Sequence, residues 1–359
     1  MGSPPMVTRR NSSARLLGIA ASTLALATGA TALPSGPAHA ADTITAADQP
    51  YFAYYRLDQA RAKGYTGQGV TIAILDGEDD TSAPELAGAD ITDKTPCTVT
   101  SSASTRQHGT DVASVLVAHD YGIAPQAKLL TYRIPLTSAG DTSGSDCRGQ
   151  LSVSRDDISS LLNTAMNDGA MIISLSLAGA SNSDSLKWAM ARALSQGVII
   201  TAGAGNDAKE QTFESFGHWS GVVGVSAIGT DGNRQDYSSW GEGVVSAAVG
   251  GPITVRNLQT QQNEQAFGTS FATPLVAGSL ALARQKWPQA TSNQLLQLLI
   301  HTGTNPGHTW NQYTGYGGVA PGAMVNTDPS QYPDENPLTN KSTGSETTPE
   351  EIKQYTDGV

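Results

Sequence analysis

Three short stretches of this 359-residue chain carry side chains suited to hydrolytic chemistry. Asp76 directly follows the run Ile72-Ala73-Ile74-Leu75, where a carboxylate at the tip of a buried strand can orient an imidazole. His108 lies in Gln107-His108-Gly109-Thr110, just ahead of the apolar-periodic segment Val112 to Ala118. That reads as a histidine at a helix start, free to project. Ser270 lies in Phe267-Gly268-Thr269-Ser270-Phe271-Ala272-Thr273-Pro274, which reads as a helix beginning. Unpaired N–H groups and the helix dipole favour negative charge there. Pro274 is placed in the first turn, where its missing N–H costs little. Taken singly, each residue has an ordinary reading: Asp-Gly as a turn pair, a lone histidine as a polar cap, a serine as an N-cap. Taken together, a carboxylate, an imidazole and a hydroxyl are the parts of an activated nucleophile.

Residues so far apart need a scaffold that gathers strand tips and helix starts at one edge. The continuous apolar run Val70 to Leu75 suits a strand buried on both faces, as in parallel sheets. Similar runs follow at Leu129 to Ile134, Met171 to Leu177, Val198 to Ala202 and Val222 to Ile228. Between and after them lie helical patterns at Ser154 to Asn167, with Ser154 and Asp157 as a capping box, at Ser185 to Ser195, at Ser270 to Lys286 and at Ser292 to His301. A further short helix is read at Tyr54 to Lys63. Strand and helix alternating in this way give an α/β fold, a doubly wound and mostly parallel sheet with helices on both faces. In such sheets, sites gather beyond the carboxyl ends of the strands.

Composition narrows the classes. Apolar residues make up 38 % and charged residues 15 %, enough for a core and too little charge for a disordered chain. The formal charge of −11 argues against nucleic acid as a partner. Arg9, Arg10 and Arg15 precede an uncharged stretch from Leu16 to Leu33 that closes on Ala38-His39-Ala40, the pattern of a secretory signal over residues 1–40. Without those three cations, 18 basic residues face 32 acidic ones, a balance of −14. No later run is long and apolar enough for a membrane span. Cys97 and Cys147 are the two cysteines of an exported chain, so a single disulfide is expected, with metal binding as the weaker reading. The expected organisation is a signal over 1–40, one domain over 41–325 and a polar, acidic, mostly disordered tail over 326–359.

The order Asp76, His108, Ser270 resembles the subtilase family, the subtilisin-like serine peptidases. G-T-S-x-A-x-P around Ser270 is the most specific element, and H-G-T around His108 is less so. Ala202-Gly203-Ala204-Gly205-Asn206 is similar to the family's A-A-G-N, and the likeness runs from about Tyr54 to Ala323. The resemblance implies a three-layer α/β/α fold and a Ser-His-Asp mechanism, with Ser270 as nucleophile, His108 as base and Asp76 as its orienting partner. Asn206 would serve the oxyanion. Ser176, Leu177 and Ala178, with Thr201, Ala202 and Gly203, would border an extended peptide or protein substrate. No cofactor is required; the calcium common in the family has no ligands assignable here. A secreted monomer is expected.

Departures from the family pattern are also present. Gly77-Glu78-Asp79-Asp80 follows Asp76 where the family has Thr-Gly or Ser-Gly, which leaves Asp79 and Asp80 as competing carboxylates. Ala178 replaces a glycine, Phe271 and Leu275 stand where Met and His are frequent, and Asp111 and Ser114 alter the segment after H-G-T. An inactive subtilase fold used for binding is the alternative function, and an esterase using the same triad is a third. Only 35 residues separate Ala40 from Asp76, too few for the separate propeptide domain of many secreted subtilases. Ala41 to Pro50 is then a short extension packed on the surface, or the protein folds without a propeptide. That short segment and the cysteine before H-G-T also resemble the mycosins of actinobacterial secretion systems, whose C-terminal anchor has no match here.

Overall fold

The computed structural model describes residues 43–147, 158–177, 179, 183–211, 215–339, 348, 350–351 and 353–354. The signal segment, Ser154, Asp157 and Ala178 lie outside the described residues. The strands are β1 Thr71–Asp76, β2 Ile91–Asp93, β3 Val99–Thr100, β4 Lys128–Arg133, β5 Thr142–Ser143, β6 Ile172–Leu175, β7 Ile199–Gly203, β8 Val222–Ile228, β9 Val244–Val249, β10 Ile253–Arg256 and β11 Asn263–Ala266. The helices are α1 Pro50–Tyr54, α2 Leu57–Ala62, α3 Ala103–Val117, α4 Ser159–Asn167, α5 Asp184–Ser195, α6 Thr269–Lys286, α7 Ser292–His301 and α8 Pro321–Met324.

Seven strands form one parallel sheet in the order β2-β4-β1-β6-β7-β8-β9. From β1 the chain first builds to one side, through β2 and β4. It then crosses to β6 and builds outward on the other, so the topological switch lies beside β1. Successive side chains of a strand point to opposite faces. Ile72 and Ile74 accordingly join the core shared with α3, α6 and α7. Ala73 and Leu75 join the core shared with α4 and α5. Both faces are covered, which is why the strands read as unbroken apolar runs. Helix α6 is buried along almost its whole length from Phe271 to Ala283, the mark of a central helix. The Cys97–Cys147 disulfide is formed and lies beside the small β3-β5 ribbon.

Several boundaries differ from the sequence reading. Of the helix expected over Tyr54 to Lys63, α2 fills Leu57–Ala62; Tyr54 instead ends the preceding α1, and Arg56 between them takes a left-handed conformation with φ 54°. Strand β9 was not anticipated, because Ser246, Ala247 and Ala248 dilute its branched residues. Ile44 to Pro50 does pack on the domain. Ile44 is buried, the Gln49 amide donates to the Thr254 carbonyl at 2.7 Å, and Thr254 Oγ1 donates to the Asp48 carbonyl at 2.7 Å.

The tail needs the largest correction, since its first part is docked. Tyr332 stacks on His301 with ring centroids 4.7 Å apart. Thr291 Oγ1 and Asn293 Nδ2 donate to the Asp334 carboxylate at 2.6 and 2.9 Å. The Gly221 N–H donates to the Leu338 carbonyl at 2.7 Å, and Leu338 is only 3 % exposed. Polar composition concealed this because one leucine, one stacked tyrosine and a set of hydrogen bonds to distant residues do the holding. Replacing Leu338 by Ala should lower the unfolding free energy by about 2–4 kcal/mol in urea titrations, as for a buried leucine. An undocked tail would show a change below about 0.5 kcal/mol.

Candidate active site

Asp76 ends β1 at the switch point, with β4 on one side and β6 on the other. Helix α3 begins at Ala103, five residues before His108, with Ser102 as its cap accepting from the Thr105 N–H. His108 therefore stands in the second turn rather than at the helix start. The polar run Ser102 to Gln107 hid that first turn. Two glycines let the helix come close enough to matter. A Cβ on Gly109 would stand 2.7 Å from the carbonyl oxygens of Gly77 and Glu78, and one on Gly77 would stand 2.1 Å from that of Thr105. Nothing larger than hydrogen fits at either position.

The result of this approach is a hydrogen bond of 2.7 Å from His108 Nδ1 to Asp76 Oδ1. The Gly77 N–H donates to the same oxygen at 2.7 Å. The other oxygen, Asp76 Oδ2, is buried with no hydrogen-bond partner among the described residues. Asp80, a competing carboxylate by sequence, is instead held by Ser82 and Arg106, and it is Asp76 that meets the imidazole. Burial by itself would lower the proton affinity of His108. The charge and hydrogen bond of Asp76, aided by Asp111, outweigh it and hold the imidazole above its usual range. Protonation of His108 thus favours the folded state below the unfolded value near about 6.5, and that contribution is lost as pH rises through the higher folded value.

Ser270 is the second residue of α6, whose first amides have no acceptor within the helix. Asn206 sits against this helix end. Its Oδ1 accepts from the Thr269 N–H at 2.8 Å and from Thr269 Oγ1 at 3.1 Å, which leaves the Nδ2 donor end for the cleft. Pro274 is the sixth residue of α6, not part of its first turn. Lacking an N–H, it cannot bond to the carbonyl four residues back, which is that of Ser270. Ser176 Oγ donates to that freed carbonyl at 3.1 Å.

Asp76, His108, Ser270, Asn206, Ser176, Leu177 and Gly203 all line one cleft of about 320 Å³. Thr201 and Ala202 are buried within β7 behind it. Leu136 and Asp207 also line the cleft and were missed, though Leu136 lies just past the end of β4 and Asp207 just past Asn206. Among the described residues, no group of three or more His, Cys, Asp or Glu side chains is placed to hold a metal ion. No described helix is long and apolar enough to cross a membrane.

The model of the subtilase family matches residues 67–317. The chain belongs to the subtilase family, that of the subtilisin-like serine peptidases. Subtilisin BL of Lederbergia lenta is 31 % identical over 259 residues, covering 70 % of this subtilase and 89 % of that protein. A thermostable alkaline protease of Halalkalibacterium halodurans is 30 % identical over 260 residues, covering 70 % of this subtilase but 66 % of the relative's own length. Among solved structures, the prenylagaramide maturation protease PagA superposes with a TM-score of 0.60 at 26 % identity, covering 75 % and 98 % of the two chains. MycP1 from Mycobacterium smegmatis gives a TM-score of 0.66 at 22 % identity over 84 % and 91 %, a likeness of fold. The mycosin affinity of the sequence is thus matched at the level of architecture.

Two measurements follow from this geometry. Ser176→Ala should lower stability by about 1 kcal/mol. The loss should shrink in a Pro274→Ala background, where a backbone N–H can return to the Ser270 carbonyl; a double-mutant cycle in urea reads the coupling. By NMR, His108 should titrate above about 6.5, and Asp76→Asn should bring it down by about a unit or more. Titration below 6.5 in the unaltered chain would contradict the electrostatic assignment.

Proposed function

We propose that the chain is an exported serine endopeptidase that cleaves peptide bonds through an Asp76-His108-Ser270 triad and an acyl-enzyme intermediate. The observation that carries this reading is the 2.7 Å bond from His108 to Asp76 in the same cleft as Ser270. With Nδ1 committed to Asp76, His108 presents Nε2 as the basic nitrogen. Ser270 Oγ attacks the scissile carbonyl carbon as its proton passes to Nε2, and the carbonyl oxygen takes the negative charge. The C–N bond then breaks and the proton on Nε2 goes to the leaving amine. Water repeats the sequence on the ester and frees Ser270. Asp76 stabilises the imidazolium that forms at each stage.

The oxyanion would lie between the Ser270 N–H, at the positive end of α6, and Asn206 Nδ2. Thr269 fixes the amide of Asn206 through its oxygen, so the donor is oriented before substrate arrives. Ser176 and Leu177, directly beyond β6, line the cleft, and their backbone would pair with an extended peptide. Export is supported by the Arg9 to Ala40 pattern.

A fluorophosphonate probe should label the purified chain, and the label should disappear in Ser270→Ala. Folded protein that takes no label would favour the binding-scaffold alternative. Asn206→Ala should reduce kcat by about 10²–10³ with KM little changed, a magnitude established on the corresponding donor in a subtilisin. The acid limb of kcat/KM should fall above about pH 6.5, because the base must be neutral and Asp76 raises its affinity for protons.

A further inference from the structure

The residue just before the histidine is unusually well tied. Gln107 Nε2 donates to Asp111 Oδ1 at 2.8 Å, one helical turn further along α3. The same nitrogen donates to the Arg256 carbonyl at 2.7 Å, and Gln107 Oε1 accepts from the Leu258 N–H at 2.7 Å. The primary amide has two N–H donors, and its oxygen is the acceptor, so both ends of the group are engaged. Arg256 ends β10, and Leu258 lies in the turn to β11.

That hairpin leads straight to the nucleophile. Strand β11 ends at Ala266, the Gly268 N–H donates to the Gly250 carbonyl at 2.8 Å, and Gly268 caps the helix that carries Ser270. The hairpin is anchored from other directions as well. The Arg256 guanidinium donates to the Glu85 carboxylate through Nε at 2.9 Å and through its terminal nitrogen at 2.7 Å, both side chains being almost wholly buried. Gln107 is thus a direct hydrogen-bonded tie between the helix of His108 and the hairpin that leads to Ser270.

We propose that Gln107, braced by Asp111, is a positioning residue that sets how His108 faces Ser270. The proposal rests on the catalytic reading of that pair. Asp111 is only 7 % exposed. His108 and Asp76 face it from the cleft side, Glu264 from β11, and Tyr121 with the Glu85 and Arg256 pair across a small enclosed space. Burial raises its carboxyl to about 7, against the lowering effects of Gln107 and His108. In its ionised form it braces the Gln107 amide by a charge-assisted bond, and it also adds to the proton affinity of His108.

The test uses the whole purified chain, with turnover of a peptide substrate and the rate of fluorophosphonate labelling as paired readouts. Gln107→Ala should lower kcat and the labelling rate by about 10- to 100-fold with KM within about twofold. Gln107→Glu keeps the size of the side chain and the acceptor for Leu258 but lacks the donors. It should show the same kcat loss, and it serves if the alanine variant does not fold. Asp111→Asn retains an oxygen for Gln107 and should keep most of kcat at pH 9. Its acid limb should move to lower pH by about half a unit, because a negative charge beside His108 is gone. An active parent with unchanged kcat in the folded Gln107 variants overturns the proposal, and an unmoved acid limb in Asp111→Asn overturns the part given to Asp111. A folded parent that neither turns over substrate nor takes label defeats the catalytic reading itself, and is thereby distinguishable.

Discussion

The arrangement of the cleft depends on how closely α3 approaches the tip of β1. An imidazole and a carboxylate 32 residues apart meet at 2.7 Å because the backbone at Gly77 and Gly109 is bare on the sides where the two segments face each other. A methyl at either position would press on a backbone carbonyl, and a carbonyl cannot swing aside as a side chain can. The usual hydroxyl residue after the aspartate is incompatible with this packing, since its Cβ would meet Thr105. Among the described residues, one buried oxygen of Asp76 has no hydrogen-bond partner, while the other accepts from both Gly77 and His108. An unpaired buried acceptor is costly, and the raised proton affinity of His108 is the compensating feature of the same contact.

The other half of the site follows from a second backbone constraint, at α6. Pro274 removes one amide from the helix, and the carbonyl thereby freed belongs to Ser270. Ser176 takes that carbonyl, which ties the end of the strand beyond β6 to the helix start. Asn206 reads the same helix start through Thr269. Two chain segments that follow neighbouring strands, at Ser176 and at Asn206, thus converge on the first turn of one helix. A helix buried on every side makes a rigid platform for them.

Local chemistry was the legible part. Helix α7 spans the expected Ser292 to His301, β8 matches its apolar run residue for residue, and Asp76, His108 and Ser270 are singled out in the sequence by what precedes and follows each of them. What escaped was long-range and polar. Helix α3 starts five residues before His108 because Ser102 caps a turn with no apolar period. The docked part of the tail is held by Leu338, by the stack of Tyr332 on His301 and by hydrogen bonds to residues more than 35 positions away. Nothing in the local sequence marks Gln107, because its partners Arg256 and Leu258 lie about 150 positions further on. Periodicity records burial along one element, and it is silent about a hydrogen bond between two.

The buried pair of Glu85 and Arg256 gains a role in this light. A buried ion pair is weak evidence for stability, because desolvation offsets much of the attraction. Its value here is better sought in position. Both partners are nearly sealed from solvent, and the guanidinium is gripped by both carboxylate oxygens, so the end of β10 has little freedom to shift. The carbonyl of that same Arg256 is the acceptor for Gln107. A charge pair that fixes a backbone carbonyl, and an amide that reads the carbonyl from the histidine helix, form a continuous path from the segment at Glu85 to the two halves of the cleft. Replacing the pair with apolar residues of similar volume could leave stability intact and still loosen that path, because packing alone does not dictate where a carbonyl points.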